Sequence, residues 1–158
     1  MTRDDAFAQA CATLGYSFDG EIKVGGHYVP LVRDGTVMYV SGQIPRVGND
    51  IVVVGRAGAE VTLAQAQLGA KICVLRALAL LQRSLGGLDR IRAMLRITVY
   101  VRSAEDFTLQ SEVADGASDL LLAILGEAGA HTRTSVGVYQ LPKGATVEID
   151  LVVAIVAP

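Results

Sequence analysis

A chain of 158 residues with a formal net charge of −2 and a pI near 5.6 offers no general field for nucleic acid or an anionic membrane. Its length fits one domain, 1–158, long enough to bury roughly 70% of its unfolded surface, with residues 1–20 as an N-terminal helical extension and 21–158 as the core. Apolar residues make up 51% but aromatic ones only 5%, so Val, Leu, Ile and Ala must build the core, and some of that apolar surface is expected between subunits.

The start, Met1 to Asp5, carries two acids with no long apolar run behind them, which speaks against a secretory signal. Asp4 or Asp5 can cap a short helix through Leu14, with Gly15 as its stop. Ile22 to Val24 and Tyr28 to Val32 read as a weak strand region broken by Gly25-Gly26. Asp34-Gly35 then makes a tight turn into a strand at Thr36 to Ser41, and Ile51 to Val54 is a third short strand.

Thr62 with Gln65 forms a capping box, and from Leu63 to Leu85 apolar residues recur at helical period on almost every face until Gly86-Gly87. Such a helix is covered on more than one side. Lys71 and Arg76 interrupt it before it reaches the roughly 18 apolar residues that span a bilayer. Cys11 and Cys73 lie in apolar helical stretches and are expected to be reduced thiols, which together with the missing signal points to the cytoplasm.

Arg90 to Arg102 alternates strictly, with Ile91, Ala93, Leu95, Ile97, Val99 and Val101 on one side and Arg92, Met94, Arg96, Thr98, Tyr100 and Arg102 on the other. A second helix opens at Ala104 to Phe107 and ends at Gly126 or Gly129. Thr132 to Asp150 then reads as an antiparallel hairpin turning at Leu141 to Gly144. Its second strand puts Val147, Ile149, Leu151, Val153 and Ile155 on one face, and Glu148, Val152, Ala154 and Val156 on the other.

The order β-β-β-α-β-α-β-β contains two strand-helix-strand crossovers, and right-handed crossovers place both helices on one sheet face. The opposite face is left bare, apolar enough to be covered by oligomerisation.

The candidate chemistry is narrow. His27 and His131 stand apart from other ligand types and read as surface or loop histidines, so no metal site is expected. Gly55 and Gly58 lack the spacing of a phosphate loop, and Ser41 is not in a nucleophile elbow. Two charged residues of the C-terminal segment remain. With a turn centred on Pro142-Lys143, Arg133 and Glu148 share a face about four ladder rows, roughly 13 Å, apart. That is too far for an ion pair within one hairpin, but they could flank a small anion, or each could meet the other's counterpart on a neighbouring subunit. A guanidinium offers a carboxylate two parallel donors, and a glutamate one small molecule away can hold a water or pass a proton. Alternatively, Arg133 is a strand-end surface charge and Glu148 blunts a sheet edge.

Arg133-Thr134-Ser135-Val136, Leu141-Pro142-Lys143-Gly144 and Val147-Glu148-Ile149-Asp150, with Val40-Ser41-Gly42-Gln43-Ile44-Pro45 upstream, resemble the Rid (reactive intermediate deaminase, YjgF) family, also called L-PSP endoribonuclease. The resemblance covers about Tyr28 to Ile155. It implies an α+β, chorismate-mutase-like fold: a mixed sheet of about six strands with two main helices on one face, here with an added N-terminal helix. It also implies homotrimers with sites in the clefts between subunits.

By the same resemblance, Arg133 holds the carboxylate of a 2-imino or 2-enamino acid and Glu148 assists water attack, giving a 2-oxo acid and ammonia. Tyr28 and Gly42 match the pocket tyrosine and the residue whose backbone lines the pocket. Ser111 and Ser135 stand in two further pocket positions, where the better-known deaminases have asparagine and cysteine. Family substrates are released by pyridoxal-phosphate enzymes, so a functional link to such enzymes is implied and no cofactor is required. His131-Thr132 in place of Pro-Ala, and a helix from Ala114 to Asp119 without the usual aromatics, imply a divergent subgroup.

Two rival readings are an endoribonuclease and a non-catalytic trimeric anion binder or chaperone-like scaffold. The first has only the short basic stripe Arg92, Arg96 and Arg102, without the interleaved aromatics that stack single-stranded bases.

Overall fold

A computed structural model describes the whole chain, Met1–Pro158. Helix α1 (Arg3–Leu14) opens with a capping box, but the cap is Thr2, whose hydroxyl accepts from the Asp5 N–H while the Asp5 carboxylate accepts from the Thr2 N–H. Asp4, one of the two expected caps, does other work: its Oδ1 accepts from Gln82 Nε2 at 2.7 Å and from the Leu88 N–H at 3.1 Å. These bonds and buried Phe7 dock α1 on the body of the protein.

Strands β1 (Leu31–Asp34) and β2 (Val37–Gln43) form the expected hairpin across Asp34-Gly35. The stretch from Ile22 to Tyr28 forms no strand. The third expected strand shrinks to β4 (Asp50–Ile51), paired with β3 (Arg46–Val47) in a separate two-stranded ribbon, while Val54 makes only an isolated bridge to Ala145.

Helix α2 (Leu63–Leu85) carries the predicted capping box and ends at Gly86, whose φ of 80° a side chain would resist. Its interior, from Ile72 to Leu81, is continuously buried, because the sheet lies under one side and helix α3 (Gln110–Leu125) covers another. Helix α3 starts later than expected, at Gln110, since Ala104 to Leu109 form a turn instead.

Strand β5 (Ile91–Arg102) does not alternate strictly. Register shifts between Ile91 and Ala93 and between Met94 and Arg96 bury Met94 and leave Leu95 41% exposed; alternation holds only from Ile97 onward. Each bulge adds a residue and so reverses the facing of what precedes it.

The C-terminal segment departs most from expectation. Strands β6 (Thr132–Val138) and β7 (Val147–Ile155) both form, but the sheet order is β1-β2-β7-β5-β6, so β5 lies between them. Strand β6 pairs in parallel with β5 and β7 pairs antiparallel with β5 and β2, so the hairpin expected at Thr132 to Asp150 does not exist. The link through Pro142 passes the end of β5 as a short 3-10 turn, with Lys143 in the left-handed region at φ 57°. Strand β5, twelve residues long and rich in β-branched side chains, separates them by pairing with β7 from Ile91 to Val101 on one edge and with β6 from Arg96 to Arg102 on the other.

Both helices cover one face of the five-stranded sheet, as predicted. The opposite face is more polar than expected: Tyr39, Val136 and half-buried Val152 share it with Arg96, Thr98, Tyr100, Glu148 and Asp150, and Ala154 is already buried.

Candidate active site

Pairing register decides where the two key side chains go. Arg133 lies beside Ile97, which lies beside Leu151, and both neighbours are buried under the helices. Glu148 lies beside Tyr100, an odd number of residues away on each strand, so it projects from the other face. The shared face expected for Arg133 and Glu148 is therefore wrong, because a turn-centred register does not apply when a third strand intervenes. The six expected site residues divide into two groups within one copy of the chain.

The first group surrounds a cleft of about 420 Å³ whose lining includes Tyr28, Gly42, Gln43, Arg46, Arg76 and Glu148. A register shift between Val40 and Gln43 brings the backbone of Gly42 against the Glu148 side chain, and a Cβ at position 42 would collide with Glu148 Oε1. Partial burial, and after it the neighbouring Asp150 carboxylate, push the Glu148 carboxyl above the usual glutamate value. Asp150 in turn accepts from the Tyr100 hydroxyl at 3.3 Å. Tyr28 is half exposed at the cleft mouth, free to meet a ligand or another copy.

The second group lies on the helix-covered face, where α3 grips Arg133. Its Nη1 donates to Asp115 Oδ1 at 2.9 Å and Ser118 Oγ at 3.0 Å, and its Nη2 to Ser111 Oγ at 2.8 Å and Ser111 O at 3.2 Å. Ser111 thus holds the arginine rather than lining the Glu148 cleft. Ser135 points to the same face from the next like-facing position of β6. His131 extends the network: its Nδ1 meets Gly129 O at 2.6 Å, so its Nε2 is free to accept from Ser118 Oγ at 2.8 Å. The sequence points to His131 as an unconnected loop residue; its role is hidden there because its partner comes from another element.

Sequence reasoning also missed Gln43, Arg46 and Arg76 as cleft residues. Arg76 had a readable signal, a lone arginine within an otherwise apolar helical run, whereas Arg46 had none. No cluster of His, Cys, Asp or Glu able to hold a metal ion is present in the structure.

Residues 12–153 match the family described as "YjgF/chorismate_mutase-like, putative endoribonuclease". The chain belongs to this family. It is 41% identical over 143 residues to Protein TCP17 of Trypanosoma cruzi, a match spanning 89% of this chain and 88% of that protein. Among solved structures, the protein Atu1372 of Agrobacterium tumefaciens, of unknown function, superposes with a TM-score of 0.87 at 37% identity, covering 98% of this chain and 95% of that one. A "putative endoribonuclease" from Shewanella oneidensis superposes at 0.88 with 26% identity, over 98% of this chain and all of the other. The YjgF assignment confirms the α+β, chorismate-mutase-like fold expected from the motifs.

In this YjgF chain the two groups supply complementary chemistry. The cleft has a carboxyl biased toward holding a proton, beside a backbone with no Cβ in the way. The α3 surface has a guanidinium whose four terminal N–H groups are already bonded, one of them to the half-exposed Asp115 carboxylate. Asp115 thus occupies the position on Arg133 where a carboxylate pairs with a guanidinium.

Proposed function

We propose that this protein hydrolyses reactive 2-imino or 2-enamino acids to 2-oxo acids and ammonia, at sites assembled between copies of the chain. Arg133 of one copy binds the substrate carboxylate. The cleft of the next copy presents Glu148 to the water that attacks the C=N carbon. The observation that carries this reading is the state of Glu148, a half-buried carboxyl raised above its ordinary value and set against Gly42 in an open cleft. Such a group can accept a proton from the attacking water and return it to the departing nitrogen. The reaction needs little more, because the imine is already activated and the protein supplies orientation and proton management.

The opposite facing of Arg133 and Glu148 supports a site between subunits rather than within one. Strand β6 is the edge of the sheet, so the residues it carries are placed to meet a second copy. A homotrimer satisfies this arrangement, supplied with substrate in the cytoplasm by pyridoxal-phosphate enzymes.

The endoribonuclease reading gains nothing from the basic stripe. Arg102 Nη1 turns back to Gly144 O at 3.1 Å, and Arg96 donates to Thr134 Oγ1.

The test couples an enamine-releasing dehydratase or amino-acid oxidase to the protein and follows 2-oxo acid formation with semicarbazide as trap. Arg133→Ala is expected to slow formation about a hundredfold with the fold intact, and Glu148→Gln to abolish turnover while 2-oxo acid binding persists. Unchanged rates in Arg133→Ala would sink the assignment; unchanged turnover in Glu148→Gln would remove Glu148 from the chemistry, and 2-oxo acid binding without any turnover in the wild type would leave a binder.

A further inference from the structure

The Glu148 cleft contains more positive charge than deamination of a simple imino acid requires. Four basic residues, Lys23, Arg46, Arg76 and Lys143, line it against a single carboxylate, Glu148. Lys23 is partly accounted for by its bond to Asn49 Oδ1. Arg76 is the exceptional one: only 4% exposed, it donates to Gln43 Oε1 at 3.0 Å, Arg46 O at 3.0 Å and Lys23 O at 2.8 Å, all uncharged acceptors. The chain's two ion pairs, Arg3 with Asp89 and Arg133 with Asp115, lie elsewhere.

A buried guanidinium without an acid is costly, because carbonyl dipoles replace only part of its lost hydration. A guanidinium has five N–H donors, and three of Arg76's are used. Arg46, beside it, has a buried Nε with no partner at all. Glu148 does not neutralise this pair: its own shift comes from burial and Asp150, with no basic group drawing it down. The Arg76 guanidinium, by contrast, is made less basic by burial and then by repulsion from Arg46.

We propose that the part of the cleft lined by Arg76 and Arg46 is an oxyanion subsite, taking a carboxylate or phosphate group that the ligand carries in addition to the carboxylate held by Arg133. As a statement about substrate the inference rests on the deaminase reading and deepens it: the preferred imino acid has a second anionic group. As a statement about binding it stands on the cleft alone. The simpler role for Arg76, a clamp tying the segments at Lys23 and Arg46 to α2, explains its three bonds but not the unpartnered Arg46 Nε or the missing counter-charge.

The test is calorimetric titration of the full-length protein with two matched pairs of ligands. 2-Oxoglutarate and 2-oxopentanoate differ by a distal carboxylate; 3-phosphoglycerate and glycerate differ by a phosphate. The wild type is expected to prefer the more charged member of at least one pair by about tenfold or more, and the pair showing the preference identifies the group. Arg46→Gln, at a partly exposed residue, should erase the preference, weakening the more charged member by about tenfold or more relative to the less charged one. Arg76→Met should do the same; should it fail to fold, Arg46→Gln decides. No preference in the wild type, or one undiminished in Arg46→Gln, overturns the subsite. If the protein hydrolyses no imine yet shows an Arg46-dependent preference, the deaminase reading falls and the subsite stands. If it hydrolyses imines without such a preference, the subsite falls and the deaminase reading stands.

Discussion

The surface where α3 meets β6 and the cleft beside β2 and β7 both hold arginines, in opposite circumstances. Arg133 is partly exposed, with an acid and two serines of α3 around it. Arg76 is buried and has no acid. Glu148, in the same cleft as Arg76, is likewise unneutralised and is held above its usual proton affinity. One region is electrostatically balanced, its arginine already matched by a carboxylate of its own chain. The other keeps unlike charges unpaired inside a single cleft, an arrangement that burial alone would select against.

The sharpest way to break the contrast is Gly42→Ala. The new Cβ would meet the Glu148 carboxyl group, the mobile end of a side chain, so the side chain yields rather than the backbone. Turnover should fall about a hundredfold through misplacement of Glu148, with thermal stability near wild type. A matched loss of stability would mean that Gly42 serves packing instead.

Gly116→Ala acts on the balanced region through its support. A Cβ there would lie 2.7 Å from Gln67 O of α2, and backbone cannot step aside as a side chain can. Separating α3 from α2 should cost about 1–3 kcal/mol, read as a drop of several degrees in Tm. Because α3 carries Ser111, Asp115 and Ser118, substrate affinity should weaken as well. A stability loss with unaltered affinity would show that the Arg133 cradle does not depend on this helix contact.

These two glycines also show what was legible beforehand. Motifs with local causes read well: the capping box at Thr62 and Gln65, the extent of α2, the β1–β2 turn and the inward face of β7 all depend on residues adjacent in sequence. Resemblance supplied the fold and the names of the site residues. Their grouping was not legible, because facing was derived from a hairpin that β5 interrupts. The bulges in β5 misled in the same way, leaving Met94 inside and Leu95 outside. Nothing local marks Arg46 as a neighbour of Arg76, or Ser118 as a partner of His131, since those contacts exist only after distant elements pack.

Glu148 allows a test in pH. Its proton affinity is raised in the folded protein, first by burial and then by Asp150, so over a window above the ordinary glutamate value the native state holds a proton the unfolded chain has lost. The contribution to stability is complete below that ordinary value and disappears as pH climbs through the raised one. Glu148→Gln should therefore flatten the pH dependence of Tm across this window and leave the protein no less stable at neutral pH, although turnover is gone. A variant uniformly less stable at every pH would place Glu148 in the framework rather than in the chemistry.

The smallest expected effect belongs to Asp115. If a substrate carboxylate reaches Arg133 by displacing the Asp115 carboxylate, Asp115→Asn keeps the hydrogen-bond acceptor but removes the competing charge. An ion pair with one partner 54% exposed is weak, so the gain should be modest, a fall in KM of about two- to fivefold with kcat near wild type. A positioning role predicts the opposite sign, because loosening Arg133 would raise KM. The direction of this small change therefore separates a carboxylate that keeps a place for the substrate from one that merely braces the arginine.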